Sequence, residues 1–274
     1  MSSSTPPPLT GAPAPAGGRL AELAAGFPLS LRLTDAADAE LREVDGAPGW
    51  PERVRAALIP GVRGVLLRDP VPADPATIHE VAAEAARRGV VVEIADRARV
   101  TAVADAVADQ IGGEETPGMV DVLATLSRAE RADLPRILGA AALLIARFAG
   151  EIATIEQSAI TDGSTSFVAT TARGWRAVGI VAISDGDPGL RAERIHASSR
   201  VVVDCGHPRS GRPGAVTVYV ARDGFAPRQP WEDADRYAWR RLIRDVRAAS
   251  PADDLEAYAR AVAAIGPLRA ATAG

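Results

Sequence analysis

The chain has 274 residues, 47% of them apolar and 24% charged, and a formal net charge of −4, enough material for one large or two modest cores. Acids and bases intermix along it, which argues against nucleic acid as a partner, because phosphate binding needs a concentrated basic surface. The lone Cys205 excludes an internal disulfide and a thiolate cluster, and His79, His196 and His207 form no HxxxH pair, so no metal is expected.

The amino end lacks a signal peptide's basic-then-apolar order, and no apolar run is long enough to span a bilayer. A cytoplasmic chain with no membrane partner is expected. Residues 1–17, MSSSTPPPLTGAPAPAG, offer little to bury and carry prolines unsuited to a central strand, which predicts a flexible arm. A short helix over 18–25 and a brief strand over 29–33, just before Asp35, follow. Pro51 starts a helix over 50–58. The clearest pattern spans residues 65–101. Val65-Leu66-Leu67 reads as a strand, Asp74 and Pro75 open a helix, Gly89 turns the chain, and Val90-Val91-Val92 with Ile94 reads as the next strand. Strand, helix and strand of this length form a parallel crossover unit. A helical period over 98–111 ends at Gly112-Gly113, so residues 18–117 are predicted to form a truncated Rossmann-like parallel-sheet domain.

Residues 118–274 read differently. After a strand near 119–123 and an apolar helix over 134–148 come strand patterns at 152–160, 166–171, 175–183, 194–204 and 215–220, separated by Gly-containing turns. This predicts an α+β domain with an open, mainly antiparallel sheet, covered on one face by the helices at 134–149 and 232–247. A last helix runs over 253–265. Val178, Ile180 and Ala182 alternate onto one face of their strand; Trp175 is out of phase and joins them only through a bulge or a shifted start. Arg236, Arg240, Arg244 and Arg247 form a basic stripe on the 232–247 helix, opposite Leu242, Ile243 and Val246.

In order and spacing, His79, Ala83, Ala86, Gly89 and Thr101, then Ala140 to Glu151 and Arg194 to Asp204, resemble the Gfo/Idh/MocA family, the glucose–fructose oxidoreductase and inositol dehydrogenase group. The resemblance implies a dinucleotide-binding domain, a second domain that associates through its sheet face, and NAD(P)-dependent sugar oxidation or reduction.

The departures matter more. The family's glycine fingerprint falls on Gly11 to Gly18, GAPAPAGG, where two prolines stand and no apolar strand precedes. Asp35 stands where an acid would bind the adenosine ribose, and equally suits a strand-end turn. The resemblance places Ala95, Asp96 and Arg97 on the family's Glu, Lys and Pro, and Arg136, Ala140 and Leu143 on its Asp, His and Asp. An aspartate cannot donate as an ammonium does, and an alanine accepts no proton. This alignment predicts a vestigial cleft in which Asp96, Arg136 and Ala140 converge beside His79, with Asp96 and Arg136 ion-paired.

Other clusters have structural readings. His79 suits capping or packing beside Asp74, and His196 a sheet position. Asp204, Cys205 and His207 suit a strand end; a Cys–His nucleophile needs contact that two residues apart on a strand do not give. The reading that follows is a non-catalytic, oxidoreductase-like subunit of a biosynthetic pathway, needing no cofactor. It would assemble with itself or with a catalytically complete homologue through Trp175, Val178, Ile180, Arg240 and Arg244. The alternatives are an NAD(P)-dependent oxidoreductase of that family type, an enzyme of another reaction using the reassigned cleft, and a small-molecule binding module.

Overall fold

The computed structural model describes residues 9–12, 31–34, 38–95, 117–161, 163–185, 189–205, 215–220, 223–225, 234–250 and 254–266. They fall into two compact units, one formed by residues up to 95 with 235–256, the other by the remainder.

The first unit is built on a parallel sheet of β1 (Leu9–Ala12), β2 (Leu31–Leu33), β3 (Leu41–Asp45), β4 (Gly64–Arg68) and β5 (Val91–Ala95), in the spatial order β2-β1-β3-β4-β5. Helix α1 (Trp50–Ala57) joins β3 to β4, and α2 (Pro75–Arg87) joins β4 to β5, completing the crossover legible in the sequence. Asp74 caps α2 by accepting from the Thr77 amide at 3.0 Å, and Gly89 takes a positive φ of 66° to turn the chain into β5. The predicted arm needs correcting. Leu9–Ala12 is a strand paired with both β2 and β3, so the first strand is present inside the sheet. Four residues with one leucine and one threonine carry too little pattern to reveal it.

Helix α4 (Ala234–Ala248) also departs from expectation: it packs on this parallel sheet, not on the second one. Trp239, Leu242, Ile243 and Val246 form one core cluster with Leu9, Leu41, Leu66 and Val91. Gly64 makes the close approach possible, since a Cβ there would lie 2.8 Å from Val246 and 2.9 Å from Leu242.

The second unit holds an eight-stranded sheet in the order β13-β12-β11-β10-β6-β9-β8-β7. Its strands are β6 (Met119–Leu126), β7 (Ile152–Thr161), β8 (Ser164–Thr171), β9 (Arg176–Ile183), β10 (Gly189–Ile195), β11 (Ser199–Asp204), β12 (Ala215–Val220) and β13 (Asp223–Phe225). All pairings are antiparallel except β6 with β9. The stretch 194–204, one strand in the sequence reading, is two, because the chain reverses at His196, whose amide donates to the Ser199 carbonyl. Helix α3 (Leu134–Ala149) packs on one face through a nearly continuous apolar surface, over Val120, Val122, Ala177 and Ala192. The last helix is α5 (Asp254–Ala264).

Among the described residues, no element of this unit covers the opposite face. Strict alternation puts Met119, Asp121, Leu123, Val178 and Ile180 there, with Met119 37%, Leu123 47% and Ile180 43% exposed. Trp175 does not join them, which corrects its place in the predicted interface. It is buried, with the Arg194 guanidinium 4.2 Å above its ring and His196 stacked beside it. Arg194 is itself buried and donates from Nε to the Phe148 carbonyl at 3.0 Å, so the ring closes a charged pillar.

Candidate functional site

Consecutive strands β1 and β2 run one way across the first sheet, and β3, β4 and β5 run the other. The connections therefore diverge between β1 and β3, and the carboxyl ends of strands at such a divergence are the usual binding place of a parallel sheet. Residues 13–18, which follow β1, lie outside the described residues, as do Asp35 and Asp96. The described loops at this end of the sheet are residues 46–50 after β3 and 69–74 after β4.

These loops are tied to one another. The Gly46 amide donates to the Arg68 carbonyl, and the Val71 amide to the Gly46 carbonyl, both at 2.8 Å. The Trp50 indole, fully buried, donates to the Val71 carbonyl at 2.8 Å. A Cβ on residue 46 would stand 2.2 Å from the Arg68 carbonyl oxygen, so only glycine allows the two loops to cross this closely. Arg53 donates to the carbonyls of Asp45, Ala47 and Pro48, clamping the loop from outside. Asp69 holds a positive φ of 41° and its amide meets the Ala95 carbonyl, turning the chain at the end of β4.

Most polar groups of these loops are thus used internally. They make a stiff, largely apolar wall with Pro70 and Pro72 buried in it, and the Asp45 carboxylate, exposed at the end of β3, accepts from the Ala47 amide through one oxygen. The wall suits a flat ring and a hydroxyl better than a phosphate.

Beneath the sheet lies a layer of charge that the sequence reading missed. Arg68 bridges Glu43 at 2.9 Å and Asp235 at 3.3 Å. Burial opposes the Arg68 charge, but Asp235 and Glu43 outweigh it and hold the guanidinium above its ordinary pKa. Arg241 lies 3.2 Å from Glu93 and 3.6 Å from Asp254, whose other oxygen accepts the Ile94 amide at the sheet edge. Burial likewise works against Arg241, and Asp254 and Glu93 raise its pKa above the ordinary value. A signal was available: Glu43 and Glu93 interrupt otherwise apolar strands.

The predicted cleft residues are placed as follows. His79 lies in the first half of α2, and its Nδ1 stands 2.6 Å from Glu256 rather than beside Asp74. Its Nε2 has no partner among the described residues. Arg136 pairs with Asp133, the residue just before α3, at 2.5 Å; Asp96, its expected partner, lies outside the described residues. Ala140 is buried in α3. On α4, Arg240 is exposed over the Tyr237 ring and Arg244 pairs with Asp245. Cys205 is buried, and His207 lies outside the described residues. Among the described residues no group of His, Cys, Asp and Glu is arranged to hold a metal, and no helix is long and apolar enough to cross a membrane.

Neither a family model nor a curated protein matches the sequence. Solved structures do match in fold. UDP-N-acetylglucosamine 3-dehydrogenase GnnA from Acidithiobacillus ferrooxidans superimposes with a TM-score of 0.76 at 17% identity, over 96% of both chains. KijD10, a 3-ketoreductase from Actinomadura kijaniata in complex with NADP, gives 0.68 at 15% identity over 97% of both. The dehydrogenase MviM from Clostridium difficile gives 0.71 at 9% identity, over 96% of this chain and 99% of that one. The chain shares the fold of these dehydrogenases and of the ketoreductase.

This overturns the expectation that no cofactor is needed. That expectation rested on a missing first strand, yet β1 is in place, and the fold is shared along nearly the whole chain with a reductase that holds NADP. One departure stands apart from any alignment. The chain contains no lysine, all 31 of its basic residues being arginine.

Proposed function

We propose that the chain is an NAD(P)-dependent oxidoreductase acting on a hydroxyl or keto group of a sugar-type substrate. The observation that carries this reading is the divergence of connections between β1 and β3, in a fold shared with an NADP-bound ketoreductase. The dinucleotide would lie across the carboxyl ends of β1 and β3, its adenosine against the residue 46–50 wall and its pyrophosphate on the segment after β1. Bound, it would supply the hydride acceptor or donor. Since no lysine exists to move the hydroxyl proton, that task passes to another group. His79 is the described candidate: Glu256 orients its imidazole through Nδ1 and leaves Nε2 available, on the helix α2 that follows the carboxyl end of β4.

Calorimetry with NADP(H) and NAD(H) on the full chain tests the cofactor reading, with micromolar to millimolar affinity for one of them expected. No heat and no competition from either nucleotide overturns it. His79→Gln is expected to lower turnover by roughly 10²–10⁴-fold while leaving nucleotide affinity unchanged.

A second reading keeps the non-catalytic subunit. It is favoured by the absence of lysine and by the buried Ala140, and it predicts nucleotide binding without turnover of any nucleotide sugar or free sugar. In either case the uncovered face of the eight-stranded sheet, with Leu123 and Ile180 exposed at its middle, suits association with a second copy or a homologue. Ile180→Asp is expected to weaken that association before it affects folding, because the residue lies on the uncovered face.

A further inference from the structure

The β5 edge of the parallel sheet faces a cavity. The Val91 amide donates to the Arg63 carbonyl and the Ala95 carbonyl accepts from the Asp69 amide. Alternate residues of β5 therefore turn toward β4, and Val92 and Ile94 turn their backbone groups to the edge. Asp254 takes the Ile94 amide at 3.1 Å. The edge-facing amide and carbonyl of Val92 have no partner among the described residues, although Val92 is only 4% exposed. Val92 lines a cavity of about 470 Å³, walled by Ala82 and Ala86 of α2, Val246 near the end of α4 and Leu255 at the start of α5.

The two ends of this cavity are opposite in charge. Glu256 stands at the Ala82 end, since its Oε2 meets His79 one helical turn before Ala82; its other oxygen has no partner among the described residues. Arg63 stands at the Gly89 end, where it donates to the Val246 carbonyl at 3.1 Å and pairs with Glu40 at 3.3 Å, its side chain still half exposed. From Ala82 to Gly89 the wall runs about 10 Å along and just past α2. Helix α2 returns antiparallel to the strands it joins, so Glu256 lies toward the carboxyl end of β5 and Arg63 at its amino end.

We propose that the cavity binds a short apolar peptide with free termini, about three residues long, added antiparallel to the edge of β5. Its ammonium meets Glu256, its carboxylate meets Arg63, and its middle residue exchanges both backbone bonds with Val92. The charges exclude other small ligands: Arg63 repels a diamine and Glu256 a dicarboxylate. An ω-amino acid matches both ends but leaves the buried Val92 amide and carbonyl unbonded, which a peptide does not. The site is separate from the loops at the carboxyl ends of β1 and β3, and its test does not depend on the oxidoreductase reading.

Titration calorimetry and backbone-amide NMR on the full chain test it with trialanine as the probe. A Kd of about 1 mM or tighter is expected, with the Val92 amide resonance among those that shift. Two controls, 6-aminohexanoate with both charges and no peptide bond, and N-acetyl-trialanine amide with peptide bonds and no charge, should each bind at least about tenfold more weakly. Glu256→Gln and Arg63→Gln should each weaken trialanine by about the same factor. Ala86→Leu, at an exposed position of α2, should abolish binding by filling the cavity. Circular dichroism checks folding, and Ala83→Leu takes the place of Ala86→Leu should that chain not fold. No binding at about 10 mM trialanine, or binding indifferent to the filled cavity, overturns the site. Equal affinity for 6-aminohexanoate overturns the pairing with Val92, and equal affinity for the blocked peptide overturns the capture of its termini.

Discussion

The ring of Phe167 occupies the space a side chain on Gly179 would need: a Cβ on residue 179 would fall 2.0 Å from the ring's Cζ. The two are directly paired across β8 and β9, so the ring lies flat over the glycine and fills the inner face beneath α3. Gly179→Ala is expected to cost about 1–3 kcal/mol through overpacking, and Phe167→Ala about 3–5 kcal/mol through the cavity it leaves. The double variant should be more stable than the sum predicts, because the alanine methyl then enters vacated space. Urea denaturation of the four chains checks this, and strict additivity would remove the packing explanation.

Arg241 is the cation between two fully buried acids, Glu93 and Asp254. Arg241→Met keeps the length and apolar stem but leaves those acids facing one another. A loss of about 3–5 kcal/mol is expected, since breaking a buried pair strands its charge. Glu93→Gln in the same background should recover part of the loss. An Arg241→Met chain as stable as the parent in chemical denaturation would show that the acids are otherwise compensated.

Asp245 gives stability a sign with pH. Burial pushes its carboxyl up, but hydrogen bonds from Arg244 and with Glu93, with the charges of Arg244 and Arg241, outweigh this and hold it below the usual range. Its folded pKa is thus below its unfolded one, and as pH falls the unfolded chain takes the proton first. The stabilisation is present above the ordinary aspartate range and lost as pH falls through the folded value. Asp245→Asn should lower stability at neutral pH and make the acid-side decline shallower. Denaturation midpoints measured from neutral pH to below the ordinary aspartate range check both parts; an unchanged acid-side slope counts against the assignment. Asp121, whose pKa is raised, has the opposite sign, its contribution being lost as pH rises.

Gly46 meets backbone rather than a flexible side chain, so its neighbours cannot move aside cheaply. Gly46→Ala should separate the loops after β3 and β4, lower stability by about 1–3 kcal/mol and weaken nucleotide binding more than a surface change would. Calorimetry and thermal unfolding on one preparation check the two effects. Full nucleotide affinity in a destabilised Gly46→Ala chain would move the binding place away from this wall.

The sequence by itself determined what depends on local periodicity. The crossover through Asp74, Pro75 and Gly89 reads directly, because cap, turn and apolar spacing each leave a mark within a few residues. So does the outward alternation of Val178 and Ile180, a consequence of the two-residue period of a strand. Tertiary structure alone decided the rest. The strand at Leu9–Ala12 owes its existence to pairing with β2 and β3, since its own four residues carry no pattern. The amphipathic face of α4 announces burial but not against which sheet, and it is Gly64 that lets Leu242 and Val246 settle on the parallel one. Trp175 precedes its strand, so alternation could not assign its side; Arg194 beneath the ring did. The pairs His79–Glu256 and Arg241–Glu93 join residues far apart in the chain, and charge spacing along a sequence carries no information about contacts at that range.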